Sequence, residues 1–218
     1  MPAPTVTVLQ LDTRFPRVPG DVGCAETFCD TVEIIRVPQA TVAQVVTSDP
    51  HSIPIAPFED ALRGARGDVV VTSCGFLSPW QDHLAAQNDR PFISSALLAL
   101  DTLPERPEDI LTLTFDAERL GPPHLRGHAC DVQGLPADMH LRQTIANDAE
   151  TLDTARAERE LVDHVTQVQR PNHRHLLLEC TNLPPYKAAM ARATGLPVTD
   201  ILTLIEDARP GTVRPAFL

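Results

Sequence analysis

The chain has few aromatic residues: 4% of 218 positions, with one Trp and one Tyr. With 43% hydrophobic residues, its core must therefore be mainly aliphatic. Long apolar runs are absent. Stretches such as 68–71 and 176–178 fall far short of the roughly 18 residues that read as a membrane span. Met1-Pro2-Ala3-Pro4 lacks a basic region followed by an apolar one, so no signal peptide is expected. Basic charge is also scarce, with 18 Lys+Arg against 29 Asp+Glu and a net charge of −11. Phosphate binding needs clustered cations, so a nucleic-acid partner is not expected. No CxxC, HExxH or phosphate-type glycine loop occurs, which argues against a structural metal and against a nucleotide or other organic cofactor. The five cysteines, Cys24, Cys29, Cys74, Cys130 and Cys180, are odd in number, as expected of a reducing, cytoplasmic setting.

What the chain does contain is an internal repeat. At an offset of 106, Val70-Val71-Thr72-Ser73-Cys74 matches Leu176-Leu177-Leu178-Glu179-Cys180. Leu77, Pro79, Trp80 and Pro91 then fall on Leu183, Pro185, Tyr186 and Pro197. At an offset of 104, Val6 to Asp12 matches Ile110 to Asp116, both apolar runs ending in Asp. The bland alternative is two unrelated strand–turn–helix units that share turn chemistry. A Cys, a Leu, two prolines and an aromatic in one register favour duplication.

Short β-branched or aliphatic runs predict strands over 5–12, 31–37, 68–73, 109–115 and 174–179. Ser78-Pro79 predicts a helix through Gln87, and Pro184-Pro185 one through Thr194 that Gly195 closes. An Ala/Leu pattern predicts a long helix over 138–168, and 201–208 a last helix packing on the first lobe. Alternating strands and helices imply an α/β fold of two pseudo-symmetric lobes, each a parallel sheet flanked by helices. The expected division is 1–100 plus 205–218 for the first lobe and 101–204 for the second, crossing over at Thr102 to Pro107.

Each of Cys74 and Cys180 ends a strand just before a helix, where ligands of open α/β sheets bind. Free amides and the positive end of a helix would lower a thiol's pKa there. A lone strand-end cysteine is more often a small core residue. A pair at equivalent repeat positions suits reversible proton transfer at carbon, one thiolate removing a proton and the other thiol delivering one. Asp12 could orient a thiol, bind a substrate amine, or simply cap its turn. Arg14 and Arg17 could clamp a substrate carboxylate or form a solvated loop pair. Ser94 and Ser95 read as cleft or capping residues, and His124 and His128 as solvent-facing loop residues.

These residues carry a family resemblance over nearly the whole chain. Thr72-Ser73-Cys74-Gly75-Phe76-Leu77 and Glu179-Cys180-Thr181-Asn182-Leu183-Pro184 resemble the two cysteine motifs of the aspartate/glutamate/hydantoin racemase superfamily. The second is similar to its Gly-Cys-Thr-x-x-Pro element, and Asp12-Thr13 to its Asp-Ser. The resemblance implies an active site between two α/β lobes, with Cys74 and Cys180 as the acid–base pair. Substrate-binding positions would be Asp12, Thr13, Arg14, Arg17, Ser73, Gly75, Phe76, Thr114, Thr181 and Asn182. The substrate would be a small acid such as aspartate, glutamate or a hydantoin, racemised without cofactor or metal. The chain departs from glutamate racemases in having Gly75-Phe76 for Asn-Thr and Asn182 for His. The segment 11–21 and Cys74-Gly75-Phe76 are more similar to the branch that includes the algal dimethylsulfoniopropionate lyases. Those enzymes use a thiolate to remove a proton and expel dimethyl sulfide. A lyase is therefore the alternative reading, and a non-catalytic acid-binding module a third. A homo-oligomer stays open.

Overall fold

In the computed structural model, residues 4–218 are described, and the leader reading of Met1-Pro2-Ala3 lies outside them. Four parallel strands form the first sheet: β1 (Val6–Leu11), β2 (Val32–Val37), β3 (Val69–Thr72) and β4 (Phe92–Ile93), in the order β2-β1-β3-β4. The second sheet repeats this with β5 (Ile110–Thr114), β6 (Asp131–Gly134), β7 (His175–Leu178) and β8 (Val198–Thr199), in the order β6-β5-β7-β8. The repeat extends to register. Val6 pairs with Val69 in one sheet and Ile110 with His175 in the other, the offsets of 104 and 106 read from the sequence. The central strands β1, β3, β5 and β7 are buried along their whole length, as parallel strands covered on both faces must be. β6, half-buried and polar as Asp-Val-Gln-Gly, gives no apolar signal and was missed.

Seven helices flank the sheets: α1 (Val42–Val45), α2 (Ala56–Gly64), α3 (Gln81–Ala85), α4 (His140–Ala146), α5 (Thr154–Val168), α6 (Lys187–Thr194) and α7 (Ile201–Ala208). The segments opening at Ser78-Pro79 and Pro184-Pro185 begin as 3-10 turns, Gly75–Trp80 and Pro184–Tyr186, before continuing as α3 and α6. Gly195 ends α6 at φ 70°, the left-handed position that favours glycine. The long helix expected over 138–168 is broken. Asp148 takes a positive φ of 47°, and Asp153 restarts the helix by accepting the Arg156 amide at 2.9 Å. The break frees the Asp148 carboxylate to accept the backbone amides of Arg14 (2.6 Å) and Phe15 (3.0 Å) from the first lobe. Asn and Asp are weak helix formers and strong caps, so the Ala/Leu pattern overstated the helix.

One aliphatic cluster runs through both sheets. Helix α7, opened by an Asp200–Thr203 capping box, packs on β3 and β4 of the first sheet and also on β8 of the second. The tail then returns to the first lobe, where Val213 bridges Phe28. Among the described residues no helix is long and apolar enough to cross a membrane.

Because Ile205 of α7 is fully buried at this junction, Ile205→Ala should cost about 3 kcal/mol through lost burial and a residual cavity. Urea unfolding should show one transition, shifted to lower denaturant, while Asp207→Ala on the exposed face should leave it in place.

Candidate active site

In each sheet the strand order reverses between the two central strands, the point at which open α/β sheets bind ligands beyond the carboxyl ends of their strands, here β1 and β3, and β5 and β7. Ser73 joins the first two ends: its amide donates to Leu9 O (3.1 Å) and its Oγ accepts the Leu11 amide (3.0 Å). Cys74 follows, only 8% exposed. Cys180, the equivalent residue beyond β7, is 7% exposed. Each thiol receives the amide of the residue two positions on, Phe76 for Cys74 and Asn182 for Cys180. The lobes meet here directly. Thr181 Oγ1 donates to Ser73 O (2.7 Å), and Asn182 Nδ2 donates to Asp21 Oδ2 (2.6 Å).

The loop after β1 closes over this junction. Arg17 and Asp21 form an ion pair at 3.2 Å, with side chains 9% and 3% exposed. Arg17 also donates to Thr13 Oγ1 (3.2 Å) and lies over the Phe15 ring at 4.2 Å. Asp21 additionally accepts the Gly23 amide (2.7 Å). Gly20, at φ 98°, approaches the Pro185 backbone so closely that a Cβ there would lie 2.7 Å from Pro185 Cα. Cys180 donates to Asn182 Oδ1 at 3.7 Å, which completes a chain from Cys180 through Asn182 and Asp21 to Arg17.

The fold brings together Thr13, Arg17, Ser73, Cys74, Gly75, Phe76, Thr114, Cys180, Thr181 and Asn182. It does not bring Arg14 or Asp12 to them. Arg14 is 68% exposed and pairs with Asp148 and Glu150, so it serves as a surface tie between lobes. Asp12 faces outward to Arg36 (3.7 Å) and the Gln39 amide (3.2 Å). Ser95 caps a 3-10 turn by accepting the Leu97 amide (3.1 Å). His124 is fully buried against the Phe76 ring at 5.2 Å, correcting its reading as solvent-facing, while His128 reaches Asp101 (2.9 Å).

Two site residues were missed, Asp21 and above all Glu179. Glu179 is 1% exposed and accepts from Thr114 Oγ1 at 2.7 Å through Oε2. Its Oε1 has no hydrogen-bond partner among the described residues. The only signal in the sequence is a charged residue closing an otherwise apolar strand beside a cysteine. Burial pushes the Glu179 carboxyl up to about 7, with Thr114 and the Phe115 amide pulling the other way. Burial, then the Glu179 charge, pushes the Cys74 thiol up to about 12 against the Phe76 amide and Arg17. Cys180 is pushed well above its ordinary value by burial, Glu179, Cys74 and Asp21. That direction is opposite to the expectation from strand and helix ends: losing water outweighs two amides. Among the described residues, no three His, Cys, Asp or Glu side chains are gathered so that they could hold a metal ion.

A raised folded-state value means that protonated Glu179 supports the fold below about pH 4.5, and that this support fades as pH rises through about 7. The shift sets an upper limit of about 3 kcal/mol. In Glu179→Gln that dependence is absent, so the stability difference between variant and parent should move in the variant's favour between pH 5 and pH 8. Urea unfolding at the two values measures it, and an equal difference at both would contradict the buried carboxyl.

No protein-family model matches the chain. It is 30% identical over 214 residues to a dimethylsulfoniopropionate lyase of Durusdinium sp. clade D, covering 89% of this chain and 70% of that protein. It also matches dimethylsulfoniopropionate lyases 5 and 7 of Emiliania huxleyi at 27% and 29%, spanning 47% and 64% of their lengths. Among solved structures, allantoin racemase from Pseudomonas fluorescens superposes with a TM-score of 0.63 at 14% identity, over 93% of this chain and 88% of that one. An arylmalonate decarboxylase does so at 0.57 and 17%, over 97% and 96%. These structures share the fold, and the sequence relatives are all lyases. The chain belongs to the dimethylsulfoniopropionate lyase family, and its fold is that of the aspartate/glutamate racemase superfamily.

Proposed function

We propose that this protein is a lyase that eliminates a dialkyl sulfide from a β-sulfonio carboxylic acid such as dimethylsulfoniopropionate, with Cys74 as base. This replaces racemisation of a small acid as the first reading. The observation that carries it is the inequality of the two thiols. Racemisation in both directions needs each thiol to serve as base in turn, with each thiolate supported. Burial and Glu179 oppose ionisation of both thiols; at Cys74 the Arg17 guanidinium counters them, whereas at Cys180 Cys74 and Asp21 add to them. Cys180 is also held as a donor to Asn182. A one-way elimination needs only one base.

Charge supports a cationic substrate. Arg17 is matched by Asp21, so an ionised Glu179 leaves the site with one negative charge in excess. A sulfonium group entering this dry site would be stabilised by that charge. The substrate carboxylate has available donors in Arg17 and the amides following each cysteine. The Cys74 thiolate then takes the proton from the carbon beside the carboxylate. The electron pair forms the C=C bond as the C–S bond breaks, and the sulfide leaves with the pair from that bond. The products are an unsaturated carboxylate, a neutral sulfide and one proton, left on Cys74.

Incubation with dimethylsulfoniopropionate in deuterated water should release dimethyl sulfide and acrylate. Cys74→Ser should lower the rate by about 10²-fold or more, the usual scale for a lost acid–base group, and abolish deuterium exchange at the carbon beside the carboxylate. Cys180→Ser should slow release yet retain some exchange. Release of no sulfide, together with inversion of aspartate or glutamate, would overturn the lyase reading.

A further inference from the structure

The elimination leaves one proton on Cys74 at every turnover, inside a site where both thiols are almost wholly buried. Something in the site must remove a proton from that thiol before the next cycle. Glu179 is placed for this and is otherwise unexplained. A carboxylate held for structure would be expected to use both oxygens, because an unpartnered buried polar atom costs stability. Glu179 is held by the Thr114 hydroxyl on Oε2 and favoured by the Phe115 amide, and its Oε1 has no hydrogen-bond partner among the described residues. That free oxygen lies against the residue following Cys74: a Cβ built on Gly75 would be 2.2 Å from Glu179 Oε1. Glu179 also immediately precedes Cys180, so one carboxylate adjoins the residue after one thiol and the residue carrying the other. The other charged groups of the site, Arg17 and Asp21, bond to each other and to Thr13 and Asn182.

We propose that Glu179 is the proton acceptor that ionises Cys74, taking the thiol proton inside the closed site and passing it to solvent after product leaves. The inference rests on the lyase reading. In the transfer the S–H bond breaks with its electron pair left on sulfur, and an O–H bond forms on Glu179. Net charge in the site is unchanged, and a bound sulfonium favours the thiolate side. The thiolate then takes the carbon-bound proton. At that point Cys74 and Glu179 are both protonated, and Glu179 gives up its proton when the site opens. That is the single proton the elimination produces. A group that titrates near neutrality suits the role, because it can both hold and release a proton there. Glu179 acts on the substrate only through Cys74.

The test separates proton acceptance from a structural or purely electrostatic role. If the two groups share a titration, Cys74 alkylation by iodoacetamide, followed by mass spectrometry of its peptide, should rise with pH and flatten above about 7. In Glu179→Gln the flattening should disappear and alkylation should keep rising, exceeding the parent by about tenfold at one pH unit above the carboxyl's value. Thr114→Val, which removes the hydroxyl bound to Glu179, should move the flattening to higher pH without altering the carboxylate itself. Sulfide release should go the other way, falling by about 10²-fold in Glu179→Gln although its thiolate is more abundant. A structural role would expose the buried Cys74 and raise alkylation by the same factor at every pH, and an electrostatic brake would raise both alkylation and sulfide release. Either result overturns the proposal, as does an alkylation profile that Glu179→Gln leaves unchanged. Alkylation needs no substrate, so a parent protein that shows the flattening but releases no sulfide would defeat the lyase reading by itself.

Discussion

Everything at the candidate site depends on two parallel strand pairs held in the same register, β1 with β3 and β5 with β7. Parallel pairing sends the carboxyl ends of neighbouring strands in one direction, so Thr72 lies level with Leu9 near the end of β1, and Leu178 level with Leu113 near the end of β5. The residues that follow them are then forced into one crevice. Because the second lobe repeats the pairing of the first, each lobe delivers a cysteine at the same point of its own crevice. Slipping β7 by one residue against β5 would turn Cys180 away and bring Glu179 into its place. The burial of all four strands on both faces makes that slip expensive.

The second constraint is dryness. The lobes close on each other through Thr181 and Ser73, Asn182 and Asp21, and Asp148 and the Arg14-Phe15 backbone. Closing this way removes water from two thiols, two carboxyls and a guanidinium. Arg17 and Asp21 offset each other's desolvation by pairing, although such a buried pair adds little net stability. Among the described residues no cation pairs with Glu179, and its raised value records that cost. A site built of uncompensated buried groups is a poor stabiliser of the fold. It suits chemistry in which charge appears and disappears on sulfur, oxygen and carbon during one cycle.

Much of this was legible in the sequence because strand-level information is local. The apolar runs, the matched cysteines and prolines, and the helix-closing Gly195 each carry their signal within a few residues, and the family resemblance rests on the same short motifs. Long-range placement was not legible. Arg14 and Arg17 lie three residues apart with the same chemistry, yet one ties the lobes at the surface and the other is buried against Asp21. Asp12 ends its strand as Asp116 ends its counterpart's segment, but the first faces Arg36 and the second is held by Arg142 (3.2 Å). The break between α4 and α5 is explained by what Asp148 reaches 133 residues away.

The sequence by itself determined the α/β class, the duplication, the two strand-end cysteines and the net negative charge, since each follows from composition, periodicity or spacing along the chain. Only the tertiary structure decided which charged residues enter the site, that Glu179 is buried against Gly75 with its Oε1 unpartnered among the described residues, and that burial pushes both thiols above their ordinary value. The reason is physical. Solvation depends on every atom around a group, and the atoms that exclude water from Cys74, Cys180 and Glu179 come from two lobes that meet only after the chain has folded.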